Sequence, residues 1–153
     1  MTATKLLPTA ILTEAYKLLL NTEYPSWLYP VTQGATTIWE RLNSYTLKDG
    51  FGGNNRMNSF NHYSFGAVGS WMINYSLGIR RDDAHPGFSH FILQPEPDPT
   101  GKMTSAHGHY DSMYGRIESG WRQTATGTDY HFTVPANTTA TLRLPASSLK
   151  GGV

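Results

Sequence analysis

Near residue 80 of this 153-residue chain the apolar residues change their repeat, from spacings of three and four to alternation within short segments. A chain with that switch folds as helices first and strands afterwards. In TAILTEAYKLLL (residues 9–20), Ile11, Leu12, Ala15, Leu18 and Leu19 recur at helical spacing and predict an amphipathic helix. A second helical stretch, residues 26–33, stops at Gly34. A third, residues 64–77, aligns Phe65, Val68, Trp71, Met72 and Tyr75 before Gly78. After Ile79 come a turn-rich connector, RRDDAHPGFSH, and an apolar run closed by prolines, HFILQPEPDPTG. From Thr104 onward GRIESGWRQ, DYHFTVP and TATLRLP, parted by the turn formers Thr126-Gly127 and Ala136-Asn137, predict strands of an antiparallel sheet or sandwich. Segregated helices and strands place the chain in the α+β class with a boundary near residue 80.

Composition removes several functions. Charged residues make up 15% of the chain, against about 25% in typical soluble domains, and the net charge of +1 creates no field for a nucleic acid or an anionic membrane. Cysteine is absent, which excludes disulfides, thiolate metal sites and a cysteine nucleophile. No run of about 18 apolar residues predicts a membrane span, and the first twenty residues show no clean apolar core of a secretion signal, which leaves localisation open. Four Trp, nine Tyr and six Phe give an aromatic-rich chain suited to sugar faces. Trp27, Trp39 and Trp71 in so short a helical piece predict apolar faces that further chain covers, and Met1–Thr4 reads as an abrupt opening to a longer pattern.

Two stretches carry chemistry. YPSWLYPVTQGATTIWERL (residues 24–42) places one glutamate, Glu40, between Trp39 and Arg41 in an otherwise uncharged run. Apolar surroundings favour a neutral acid and a neighbouring cation favours the carboxylate, a balance that suits a general base. The same residue also reads as a helix-start acid near Thr36 and Thr37, or as a partner for Arg41. GGNNRMNSFNHYSFGAVGSW (residues 52–71) sets Asn58, Asn61 and His62 beside Phe60 and Tyr63. Amides and an imidazole beside flat rings match the mixed donor, acceptor and apolar faces of a sugar; they equally match a loop whose Asn side chains serve turn backbone.

YPSW, QGATTIWERL and MNSFNHYSFGAVGSWM, in this order and spacing, resemble the end of the catalytic domain of α-L-rhamnosidases, glycoside hydrolase family seventy-eight. PGFSHFILQPEP followed by SAHGHYDSMYGRIESGW is similar to that family's C-terminal β-sandwich, so the resemblance runs from about residue 6 to 144. It implies that residues 1–80 are the last helices of an (α/α)6 barrel and residues 81–153 a small β-sandwich domain. It implies an inverting hydrolase of terminal α-L-rhamnosyl residues, with rhamnose-containing glycosides or polysaccharides as substrates and no cofactor. The glutamate of the family's TTxWER motif, the general base, falls on Glu40; the histidine of NSFNHY, which contacts rhamnose, falls on His62. Trp39 and Asn61 flank these positions and shape the pocket. The general acid and further sugar-binding residues belong to an upstream catalytic segment, so the chain is expected to hold the base without the acid and to be inactive alone.

Inversion requires a second carboxyl about 6.5–9.5 Å from the base. Asp49, Asp82 and Asp83 do not resemble the family's acid motif and read as loop acids. Of the histidines, His85, His90, His107, His109 and His131 lie beyond residue 80, and His107-Gly-His109 suggests a metal pair only weakly, since i and i+2 share a strand face regardless and no acid adjoins them in sequence. Gly50, Gly52 and Gly53 lack the frame and lysine of a phosphate loop. The competing readings are a non-catalytic carbohydrate-binding or structural module, and a chain that associates with a separate N-terminal piece.

Overall fold

The structure, a computed structural model, describes residues 7–52, 56 and 58–145. Gly53 and the opening Met1–Thr4 lie outside them. By contacts the chain forms two compact units, Thr9–Gly69 and a second from Ser70 onward.

In the first unit, helix α1 (Thr9–Leu19) buries Leu12, Tyr16 and Leu19, an i, i+4, i+7 stripe. The second apolar stripe, Ile11 and Leu18, faces solvent at 55% and 59% exposure, a departure from the single buried face expected. One helix presents only about 100° of its surface to any one neighbour, so a wider apolar arc needs two. Helix α2 (Leu28–Thr32) is a short turn within the expected stretch, and Gly34 follows it with φ +90°. The third run, which passes into the second unit at Ser70, is helical but irregular: a 3-10 turn, Ser64–Ala67, leads into one α turn, Val68–Trp71, and then into a π turn, Met72–Ser76. Gly66, Gly69 and Ser70 make this run a weak α former, which lets its pitch vary.

The second unit holds two three-stranded sheets. One has the order β1 (Ile79–Arg81), β2 (His90–Leu93), β6 (Thr139–Leu142); the other is a meander of β3 (Ser105–Ser112), β4 (Gly115–Thr124) and β5 (Gly127–Thr133). β1 and β2 are antiparallel, with Ile79 opposite Leu93, whereas β6 runs parallel to β2 with Phe91 opposite Ala140. This corrects the wholly antiparallel expectation: the turn at Asn137 (φ 62°) returns the chain to β2, and the β3–β5 meander is the crossover that a parallel pair requires. Leu77, Ile79, Phe91, Leu93 and Ile117 form the core, so both sheets contribute to one apolar cluster. β4 also ties down the end of the π turn, where carbonyls lack helical partners: Trp121 Nε1–H donates to Ser76 (2.9 Å) and the Ser119 hydroxyl to Leu77 (2.5 Å). Gly78 (φ +70°) passes so close to the Gln94–Pro95 peptide that a Cβ there would lie 2.0 Å from a backbone carbon.

Candidate functional site

Glu40 is half-buried in a clasp between residues 37–40 and 58–62 of the first unit. Its backbone N–H donates to the Ser59 carbonyl (2.8 Å), and the Ser59 N–H donates back to Glu40 Oε2 (2.8 Å). His62 N–H reaches the Ile38 carbonyl at 2.8 Å, and the Thr37 hydroxyl donates to the Phe60 carbonyl. Four contacts thus bring together the two stretches that the sequence singled out. A carboxylate gripped by a main-chain N–H has a fixed orientation and keeps lone pairs with which to take a proton from water.

Aromatic packing holds the clasp from one side. Trp39, only 6% exposed, meets Phe60 edge-on at 5.2 Å; Phe60 meets Phe51 at 5.5 Å, and Phe51 meets Tyr45 at 5.0 Å. Trp39 therefore anchors the backbone beside Glu40 through a chain of edge-to-face rings. Asn58 Oδ1 accepts from Arg41 Nε (3.4 Å) and from the buried Ser44 hydroxyl, tying Arg41 to the second stretch. The His62 imidazole is half-buried, stacks on exposed Tyr63 at 5.8 Å and accepts the Ser64 N–H on Nδ1. Asn61 is exposed, with its N–H on the Ser59 hydroxyl (3.1 Å). Ser59 grips the Glu40 carboxylate through a backbone N–H, a group that carries no residue-type signal in the sequence.

The other acids have local partners. Asp49 closes a turn with its N–H on the Thr46 hydroxyl (2.9 Å), and Asp83 pairs with Arg81 at 2.9 Å. Asp82 accepts from the Ala84 N–H and lies 2.9 Å from His85 Nδ1; the His85 bond first, then the backbone bond, hold its carboxyl below the ordinary value. His107 and His109 share the outer face of β3. Contrary to the expectation of no adjoining acid, Asp111, two residues on and on the same strand face, lies 3.8 Å from His109 Nε2, and Glu118, opposite His109, lies 4.0 Å from His131. Among the described residues no group of three or more His, Cys, Asp or Glu is placed to hold a metal ion, and no helix is long and apolar enough to cross a membrane.

Residues 5–76 match the model of the bacterial alpha-L-rhamnosidase six-hairpin glycosidase domain, and residues 78–153 match that of the bacterial alpha-L-rhamnosidase C-terminal domain. The chain belongs to the bacterial α-L-rhamnosidase family. It corresponds to a C-terminal part of such a protein. An α-L-rhamnosidase of Formosa agariphila is 42% identical over 87% of this chain, and one of Streptomyces avermitilis is 40% identical over 86%. The chain spans only 14% and 12% of these relatives' lengths. The crystal structure of the Streptomyces avermitilis α-L-rhamnosidase complexed with L-rhamnose superposes with a TM-score of 0.76 at 39% identity, covering 88% of this chain and 12% of that one. The α-L-rhamnosidase of Aspergillus terreus gives 0.72 at 38% identity over 85% of this chain and 15% of its own.

Proposed function

We propose that this chain supplies the water-activating half of an inverting α-L-rhamnosidase acting on terminal α-L-rhamnosyl residues. Glu40 is the general base; His62 contacts the sugar, Asn61 lines its approach, and Trp39 fixes the wall behind Glu40. Residues 1–80 belong to the end of an (α/α)6 barrel and residues 81–153 to a β-sandwich domain, while the general acid comes from an upstream segment. The observation that carries this reading is the reciprocal bonding of Glu40 with Ser59, which aims a carboxylate and joins it to the His62 stretch. The solvent-facing second stripe of α1 supports the expectation that further helices cover this unit.

The mechanism follows from one carboxylate in one orientation. Glu40 withdraws a proton as a water oxygen attacks the anomeric carbon, while the upstream acid protonates the departing oxygen on the other ring face. The test is hydrolysis of an aryl α-L-rhamnoside by the purified 153-residue chain beside its Glu40→Gln variant. The reading predicts no turnover by either. Turnover by the chain that Glu40→Gln abolishes would mean that an acid within these residues completes the site and would overturn the half-site reading.

A further inference from the structure

The second unit carries a cleft of about 420 Å³, formed where the β1–β2 connector meets the β3–β4 hairpin. This volume lies within the roughly 300–1,000 Å³ span of small-molecule sites. One wall is aromatic: the rings of Phe88 and Tyr110 lie 4.7 Å apart, with Phe88 backed by Phe91 at 6.2 Å and Tyr110 41% exposed. Gly87 (φ 80°) and Phe88 (φ 67°) both take left-handed backbone, uncommon for a bulky residue and costing about 1–2 kcal/mol. That conformation turns Phe88 onto Tyr110. A Cβ on Gly87 would approach the Met113 sulfur to 3.1 Å, so glycine there leaves room for the hairpin tip.

Beside Pro86 and Ser112, the rest of the lining is charged, and each acid has a local partner. Asp82 is held by His85 and Ala84; Asp111 accepts Arg116 through both oxygens at 2.8 and 3.2 Å; Asp83 pairs with Arg81. Arg116 and His85 hold Asp111 and Asp82 respectively as anions, leaving their further lone pairs as acceptors. The two rings, tilted 34° to each other, offer an apolar wall to the C–H face of a pyranose, and carboxylate oxygens elsewhere in the lining can accept its hydroxyls. Each lining carboxylate already has its cation or imidazole, Arg81, Arg116 or His85, so the cleft presents acceptors rather than a free positive charge that an anionic ligand would need.

We propose that this cleft is a second, non-catalytic binding site for a neutral saccharide unit, with Phe88 and Tyr110 as its platform and Asp82 and Asp111 as hydroxyl acceptors. The choice of saccharide rests on the glycosidase reading above; the geometry of the cleft is independent of Glu40.

The test is amide chemical-shift mapping of the 153-residue chain with methyl α-L-rhamnopyranoside to about 10 mM, tenfold above a millimolar Kd. Gly87, Phe88 and Met113 are expected to shift, with at least a tenfold loss of affinity in Tyr110→Ala and no change in Lys17→Ala, an exposed position on α1 far from both sites in sequence. Asp111→Asn, at an exposed position, keeps the test open should Tyr110→Ala misfold, and weakens binding at least threefold. Absence of shifts at these amides, or the same affinity in the cleft variants, would overturn the site. Binding of methyl α-D-galacturonide as strong as that of the rhamnoside would overturn its preference for neutral sugars. Loss of the cleft leaves the Glu40 reading intact, and an active Glu40→Gln enzyme leaves the cleft intact.

Discussion

Replacing Trp121 by Phe tests how the strands secure the end of the third helical run. Trp121 is 3% exposed, and its indole N–H is the donor to the carbonyl of Ser76, itself 2% exposed. Phenylalanine keeps a ring in the space but removes that donor, and stripping a hydrogen bond from a buried carbonyl costs about 1–3 kcal/mol. The missing pyrrole portion adds roughly 1 kcal/mol of lost packing. The total is about 2–4 kcal/mol, which at a urea m-value near 2 kcal/mol/M lowers the unfolding midpoint by about 1–2 M. Far-UV circular dichroism follows the transition without relying on the tryptophan that has been removed. Ser119→Ala, which strips the donor from the adjacent Leu77 carbonyl, acts in the same direction. A midpoint shift below about 0.3 M for Trp121→Phe, with the m-value unchanged, would refute the reasoning, since it would mean that the Ser76 carbonyl does not depend on Trp121.

The Arg80–Glu96 pair (2.5 Å; side chains 11% and 2% exposed) also receives Arg80 Nε on the Asn74 carbonyl and stacks the guanidinium over Tyr75. Glu96→Ala strands that cation and is expected to lower stability by about 3–5 kcal/mol in equilibrium urea unfolding, more than any single exposed pair such as Lys17–Glu14. Stability is also expected to fall in acid. Asp82, Asp111 and Glu118 have folded values held below their ordinary 3.8, 3.8 and 4.5, by His85, Arg116 and the Thr133 hydroxyl respectively. Their contributions are complete above the ordinary values and are lost as pH falls through the lower folded ones. Thermal melts between pH 6 and pH 2 check this, and Asp111→Asn flattens the acid limb.

The sequence made the order of elements legible because periodicity is a local property. The α1 repeat, the β4 and β5 alternation and the Thr126-Gly127 turn all appear where expected. What it left hidden depends on pairing across the chain. Nothing in TATL distinguishes a strand parallel to β2 from one antiparallel to β5, because side chains alternate identically in both. IRR is too short for a repeat of its own and becomes β1 only because Ile79 finds Leu93. At the candidate site, Glu40 and His62 stood out as unusual residues in aromatic company, whereas the Ser59 N–H that grips the carboxylate is a backbone group common to every serine. Likewise Glu118 lies nine positions from His109 in sequence and becomes its neighbour only through the β3–β4 register.

The central claim is that Glu40 activates water, and it is tested most directly where an acid is also present. The chain can be grafted onto the upstream part of the Streptomyces avermitilis α-L-rhamnosidase, 40% identical to it, and kcat measured on an aryl α-L-rhamnoside with and without Glu40→Gln. Loss of a general base is worth about 10²–10⁴ in rate, so the account predicts a fall of that size in kcat with L-rhamnose binding little altered. An active graft whose kcat Glu40→Gln leaves unchanged would contradict it.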